Sequence, residues 1–176
     1  MSSEQDRERT RLAYRRAGLA MAHHAQGRAP RPLSLQPAAD DEAGGRRWPV
    51  DLGSGARHRL ELEILAQWAG LLSEARACWD GGAPPEGWGP ALEPLADLGR
   101  RITRSDEENA AYLEWLRHRA GGLLELPGTW QAVEAVAEAL LEKGSLGGAE
   151  AAALIAGIQR SQRRTRGLGG FFRDVR

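Results

Sequence analysis

Trp130-Gln131-Ala132-Val133-Glu134-Ala135-Val136-Ala137-Glu138-Ala139-Leu140-Leu141-Glu142-Lys143-Gly144 carries the clearest periodicity in the chain. Trp130, Val133, Val136, Ala137, Leu140 and Leu141 return every three or four residues, the spacing of an α-helix with one buried face. Pro127-Gly128-Thr129 breaks the chain ahead of it, and Gly144 supplies a C-cap behind it. The same period recurs on both sides. Residues 148–159 read as a last helix. Upstream, Ser105-Asp106-Glu107-Glu108 reads as a capping box. It opens a helix to about residue 126, with Ala111, Leu113, Trp115, Leu116 and Leu123 on its apolar side. Further helices are expected over 91–103 and over 57–79, the latter with Leu60, Ile64, Leu65, Trp68, Leu71 and Leu72 on one wide face. The first helix covers 4–26, where Tyr14, Ala17, Gly18, Met21 and Ala25 recur at helical steps. No internal repeat interrupts this order.

Two glycine- and proline-rich stretches, 27–56 and 80–94, read as loops. Within the first, Pro32-Leu33-Ser34-Leu35-Gln36-Pro37 alternates between prolines and predicts one short edge strand, with Trp48 to Leu52 as its candidate partner. The expected architecture is therefore mainly α with a small β element, in one domain over 4–158. The tail 159–176 differs in character: it holds Arg160, Arg163, Arg164, Arg166, Arg173 and Arg176 against Asp174 alone, a net charge of +5. Because the whole chain sums to zero, residues 1–158 sum to −5. Three readings of the tail stay open. It is a solvated terminus, a basic arm for nucleic acid or another anionic surface, or a docking motif through Gly169-Gly170-Phe171-Phe172.

Composition narrows the chemistry. With 41% apolar and 27% charged residues over 176 positions, the chain can build a core and is not wholly disordered. Zero net charge argues against a bulk nucleic-acid binder, though not against a local patch. One cysteine forms no internal disulfide, and four histidines with that cysteine make no Cys/His zinc module. No apolar run is long enough to span a membrane, and the N-terminus lacks the apolar stretch of a signal peptide, so a soluble cytoplasmic protein is expected. Alanine-, glycine- and arginine-rich usage fits a GC-rich bacterial genome.

The first helix contains Leu12-Ala13-Tyr14-Arg15-Arg16-Ala17-Gly18-Leu19-Ala20-Met21-Ala22-His23-His24-Ala25-Gln26-Gly27-Arg28. This segment resembles the zinc-binding helix of the FtsH-type metallopeptidases, a tyrosine followed by H-E-A-G-H and then small residues to a glycine. Tyr14, Ala17, Gly18, Ala20, Gly27 and Arg28 match that frame. The chemical positions do not: Arg15 stands at the first histidine, Arg16 at the glutamate general base and Leu19 at the second histidine. Ala69-Gly70-Leu71-Leu72-Ser73-Glu74 is similar to the family's A-G-x-x-A-E helix. Ala96-Asp97-Leu98 is similar to the segment supplying its aspartate ligand, which leaves Asp97 as the one retained candidate. Trp130 to Lys143, the turn at Gly144-Ser145-Leu146 and the last helix resemble the family's closing stretch. The likeness covers about residues 10–158 and implies an FtsH-type peptidase fold.

In that family, histidines at i and i+4 hold Zn²⁺ while the glutamate between them activates water. Arginines at two of these positions add positive charge where a dication would sit, and arginine does not act as a base. No zinc or other cofactor is therefore expected, and the chain leans away from being an enzyme. Two alternatives remain: a site rebuilt from His23 and Asp97, with His24 turned about 100° around the helix, or an ion pair of Arg15 or Arg16 with Asp97 in place of the metal. Solvent-facing arginines are the counterpart of that pair. No G-x-x-x-x-G-K-[ST] motif accompanies the domain, so the family's ATPase-driven hexamer is not implied. Cys78, beside Trp79, lacks a Cys-x-x-Cys partner and reads as a small core residue. No G-x-S-x-G elbow is present. Trp68, Trp115 and Trp130 read as core. Trp48 and Trp88, in loops, either pack over the core or meet a partner. The leading expectation is a non-catalytic pseudo-peptidase that binds a protein or peptide, with the strand at residues 33–36 available to an extended segment. A metallopeptidase with unusual ligands and an anionic-surface binder acting through the tail are the alternatives.

Overall fold

A computed structural model describes residues 3–36, 53–80 and 87–170. Six helices and one two-stranded sheet make up this part of the chain: α1 (Ser3–Ala25), β1 (Leu33–Ser34), α2 (Ser54–Cys78), α3 (Gly89–Arg100), α4 (Asp106–Leu124), α5 (Thr129–Lys143), β2 (Ser145–Leu146) and α6 (Gly148–Gly170). The mainly α expectation holds.

Packing divides around α1 and α2, which lie against each other along much of their length. On one side, Ala13, Ala17, Ala20 and Met21 of α1 meet Val133, Val136, Ala137 and Leu140 of α5 and Ala151 and Ile155 of α6. On the other, Leu60, Ile64, Trp68 and Leu71 of α2 meet Leu95 of α3 and Leu113, Leu116 and Ala120 of α4. Leu72 touches both clusters and joins them. The stripe of α5 falls on the first cluster as its period requires, and Gly144 ends that helix in the left-handed region (φ 75°), its N–H on the Leu140 carbonyl at 2.8 Å.

Four details differ from the sequence reading. β1 pairs antiparallel with β2, Leu33 opposite Leu146 and Ser34 opposite Ser145. Residues 145–146 had read as a turn, and the candidate partner, Trp48 to Leu52, lies outside the described residues. The pairing follows from burial: Leu33 and Leu146 both point into the first cluster, which a short strand beside α5 satisfies at once. The last helix does not stop at residue 159 but runs to Gly170, because no proline or glycine interrupts 159–166. Trp115 is 47% exposed rather than core. The buried seam of α4 is Asn109, Leu113, Leu116, Ala120 and Leu124, and Trp115 sits beside it, stacked on Tyr112 at 5.6 Å with the Arg119 guanidinium over its ring. Cys78 is half-buried at the end of α2, and burial raises its thiol pKa, which suits packing rather than nucleophilic attack. Trp68 and Trp88 meet edge to face at 6.0 Å, so the loop ring of Trp88 packs over the second cluster.

The capping box at the start of α4 is present in a shifted form. Glu108 N donates to Ser105 Oγ at 3.1 Å, while the Glu108 carboxylate accepts from the N–H of Arg104, one residue before the cap. Ser105→Ala should lower stability by about 1 kcal/mol, read as a reduced midpoint in urea with an unchanged slope.

Candidate functional site

The chemical positions singled out by the zinc-helix likeness lie on α1, and Asp97 on α3, and the structure does not gather them. Arg15 reaches Glu74 on α2, Nη1 to Oε2 at 3.9 Å. Leu19 packs against the second apolar cluster. Arg16 is half-buried on the same helix. Asp97 lies on the exposed side of α3 and takes Arg100, one turn along its own helix, at 2.6 Å. Of the pairing expected between Arg15 or Arg16 and Asp97, Arg15 is given to Glu74 and Asp97 to Arg100. The reason is topological: α3 packs on α2 and α4, so α2 rather than α3 presents its carboxylates to α1. His23 does not face Asp97 either; it is buried against Glu63. Among the described residues no three histidine, cysteine, aspartate or glutamate side chains gather as metal ligands.

Two buried acids on α2 organise the helix pair. Glu74 is 4% exposed and accepts from Arg11 Nε at 2.9 Å, with Arg15 at the second oxygen. Arg11 in turn spans Glu8 at 3.3 Å and lies over the Trp79 ring. Eleven residues back, three helical turns away and so on the same face, Glu63 is 8% exposed. Arg28 Nη1 donates to it at 3.2 Å and Gln67 Nε2 at 3.4 Å, while His23 Nε2 stands 3.7 Å off, long for a hydrogen bond. Burial pushes the Glu63 carboxyl up, but His23 and Arg28 together pull it further down, to about 2. A carboxylate held so acidic stays ionised near neutrality and is a weak base, so this cluster anchors rather than catalyses.

Gly27 enables the Arg28 contact. It takes a left-handed conformation (φ 71°) just past α1, so the chain turns back and Arg28 N reaches the His23 carbonyl at 2.9 Å. Gln26 Nε2 adds a bond to the Leu62 carbonyl. Between the two charged clusters the helices approach closely. A Cβ on Gly18 would stand 2.5 Å from the Ala69 carbonyl oxygen and would also strike Ser73 Oγ; one on Gly70 would stand 2.8 Å from the Arg15 carbonyl. Sequence reading found the glycines, Arg28 and Glu74 through a likeness, without the ion pairs of the last two, and missed Glu63 and Arg11. The available signal was the placement of both acids on the apolar face of α2.

An aromatic seam continues the first cluster to the surface. Tyr14 stacks on Trp130 at 5.9 Å, Arg76 covers the Trp130 ring, and Trp130 Nε1 donates to Glu134 at 2.7 Å. Burial raises the Tyr14 pKa, and the charges of Glu134 and Glu138 add to it. A surface cleft lies elsewhere. A cleft of about 450 Å³ at the end of the β1–β2 ladder is lined by Arg9, Ser34, Leu35, Gln36, Lys143, Gly144 and Ser145. Leu35 N donates to the Gly144 carbonyl at 2.9 Å. In an antiparallel ladder, opposed residues alternate between hydrogen-bonded and non-bonded pairs, so Leu33 and Leu35 spend their amides inward and Ser34 directs its own outward.

No helix among the described residues is long and apolar enough to cross a membrane. Compared with models of protein families, with curated proteins and with solved structures, the chain matches none of them.

Proposed function

We propose that this chain is a non-catalytic helical domain of the FtsH-type peptidase kind that binds an extended segment of another protein at the β1–β2 end. The observation that supports the loss of chemistry is what now occupies the zinc-helix positions. Arg15 is engaged with Glu74, and Leu19 fills apolar space between helices. Both are spent on holding α1 to α2. Support for binding comes from the cleft and from the outward amide of Ser34 beside it, which an extended peptide engages by adding a strand. Arg9 on the cleft wall favours an acidic segment, while Lys143 there is already paired with Glu150.

Reduced and alkylated lactalbumin, labelled with fluorescein, provides an unfolded acidic probe. At physiological salt its anisotropy should rise to saturation with added protein, no fragments should appear on a gel, and zinc or a chelator should change neither result. Ser34→Pro removes the outward amide while keeping the inward ladder bonds, and should weaken binding roughly tenfold with little change in melting temperature. Chelator-sensitive fragments would restore the peptidase alternative. Absence of binding, or equal binding by the Ser34→Pro variant, would remove the peptide-binding reading.

A further inference from the structure

We infer that the C-terminal part of α6 is a rigid basic arm that binds the phosphate backbone of a nucleic acid, a role independent of the peptide site. The first half of α6 is anchored by Ala151 and Ile155, both fully buried, with Leu154 and Ile158 packed beside them. Gln162 makes the last described contact, its side chain lying over Gly128 at the start of α5. The helix then continues to Gly170.

Arg160 lies nine residues beyond Ala151, and Arg164 nine beyond Ile155. Nine residues are about two and a half turns, so both arginines stand on the side of α6 opposite its packed face. Both are exposed, and neither pairs with a carboxylate among the described residues. Elsewhere on the body Arg11, Arg28, Arg76, Arg100, Arg117 and Arg119 each have an acidic partner. Like charges at i and i+4 weaken a helix slightly, and an anion laid along that side reverses the sign of the effect. Arg163 holds the register position between them, and Arg166 follows.

Charge and chemistry favour a nucleic acid. Residues 159–176 carry +5 and residues 1–158 carry −5, so a polyanion is drawn to the arm and turned away from the body. Every cation in the tail is arginine, whose planar fork suits phosphate oxygens. A membrane-surface helix needs an apolar side to enter the headgroup layer. From Arg160 to Gly170 the arm holds one large apolar residue, Leu168, too little for such a side.

The test titrates a short fluorescein-labelled RNA strand of mixed sequence with the full chain at several salt concentrations. Affinity should fall linearly on a log–log plot. The double variant Arg160→Gln, Arg164→Gln should bind on the order of tenfold more weakly, with a slope shallower by about 1.4, the loss of two contacts on a single strand. Its thermal melt should match the wild type, which separates lost binding from lost folding. Ser34→Pro should leave the RNA titration unchanged, so failure of the arm and failure of the peptide site are distinguishable. No RNA binding at low salt, or an unchanged slope in the double variant, would overturn the inference. So would arginine-dependent binding to phosphatidylserine vesicles without RNA binding, which would reassign the arm to a membrane surface.

Discussion

Gly18→Ala should destabilise the protein although it adds one methyl group to a helix, where alanine is ordinarily favoured. In an open helical position, Gly→Ala stabilises by roughly 0.5–1 kcal/mol because glycine loses more backbone freedom on folding. Gly122 is such a position: it lies on the exposed side of α4 with nothing within 4 Å of a built Cβ. At Gly18 the same atom meets the Ala69 carbonyl oxygen at 2.5 Å, and a backbone oxygen moves only if α2 moves. Separating α1 from α2 loosens both apolar clusters, since each draws on one of these helices. The expected cost is about 3 kcal/mol for Gly18→Ala and more for Gly18→Val, at the upper end of overpacking penalties. In urea the midpoint should drop by roughly 1–2 M at unchanged slope. Gly122→Ala, in the same series, should rise. If the two alanine variants shift the midpoint the same way, the close approach of α1 and α2 is wrong.

Glu63→Ala should be comparably damaging, and its effect should depend on pH. Truncation leaves Arg28 facing a gap with no counter-charge, and removing one member of a buried ion pair costs about 3–5 kcal/mol. Arg28 retains some contact with water, which places the expected value near 3 kcal/mol. The sign of the pH effect follows from the carboxyl itself. Its pKa is about 2 in the fold against 4.5 for the free group. The folded state thus binds the proton more weakly, and the stabilisation is fully present above pH 4.5. It is lost as pH falls toward 2. A shift of that size corresponds to on the order of 3 kcal/mol. Glu63→Gln keeps the shape and removes the titration. The stability difference between wild type and Glu63→Gln should therefore shrink steadily on acidification from pH 5 to pH 2. A constant difference over that range would show that Glu63 is not held ionised by its neighbours.

Helix identity was legible because α2 and α5 repeat apolar residues at helical steps and because glycine or proline marks most boundaries. Gly144 and Ser105 were readable as caps for the same local reason. What sequence could not supply was the partner of each buried charge. Glu63 and Glu74 look like ordinary helix acids until α1 is laid against them, and Arg28 is a loop residue until Gly27 turns it inward. Asp97 shows the converse: a match to a ligand position placed it at a site, while packing placed it on the outside of α3. Trp115 misled for a related reason, since a tryptophan one step off a leucine seam satisfies the period yet stands clear of the core. The strand pairing was hidden because β1 and β2 are 110 residues apart and two residues long. Only the shared burial of Leu33 and Leu146 selects it.

The seam between α1 and α2 has a consequence for uniqueness. Its interior is built of small groups, Gly18 and Ala22 of α1 facing Ala66, Ala69, Gly70 and Ser73 of α2. Gly18 under the Ala69 carbonyl marks one stop along it, because sliding α1 one turn, about 5.4 Å, brings a residue with a side chain to that oxygen. Glu74 with Arg11 near one end and Glu63 with Arg28 near the other act as detents three turns apart. A one-turn slip in either direction carries His23 and the turn at Gly27 away from Glu63, while Arg15, one turn from Arg11, still reaches Glu74 in one of them. The glycine contacts and the ion pairs together key the joint, and a chain with both acids made neutral is expected to keep its helices in a looser alignment.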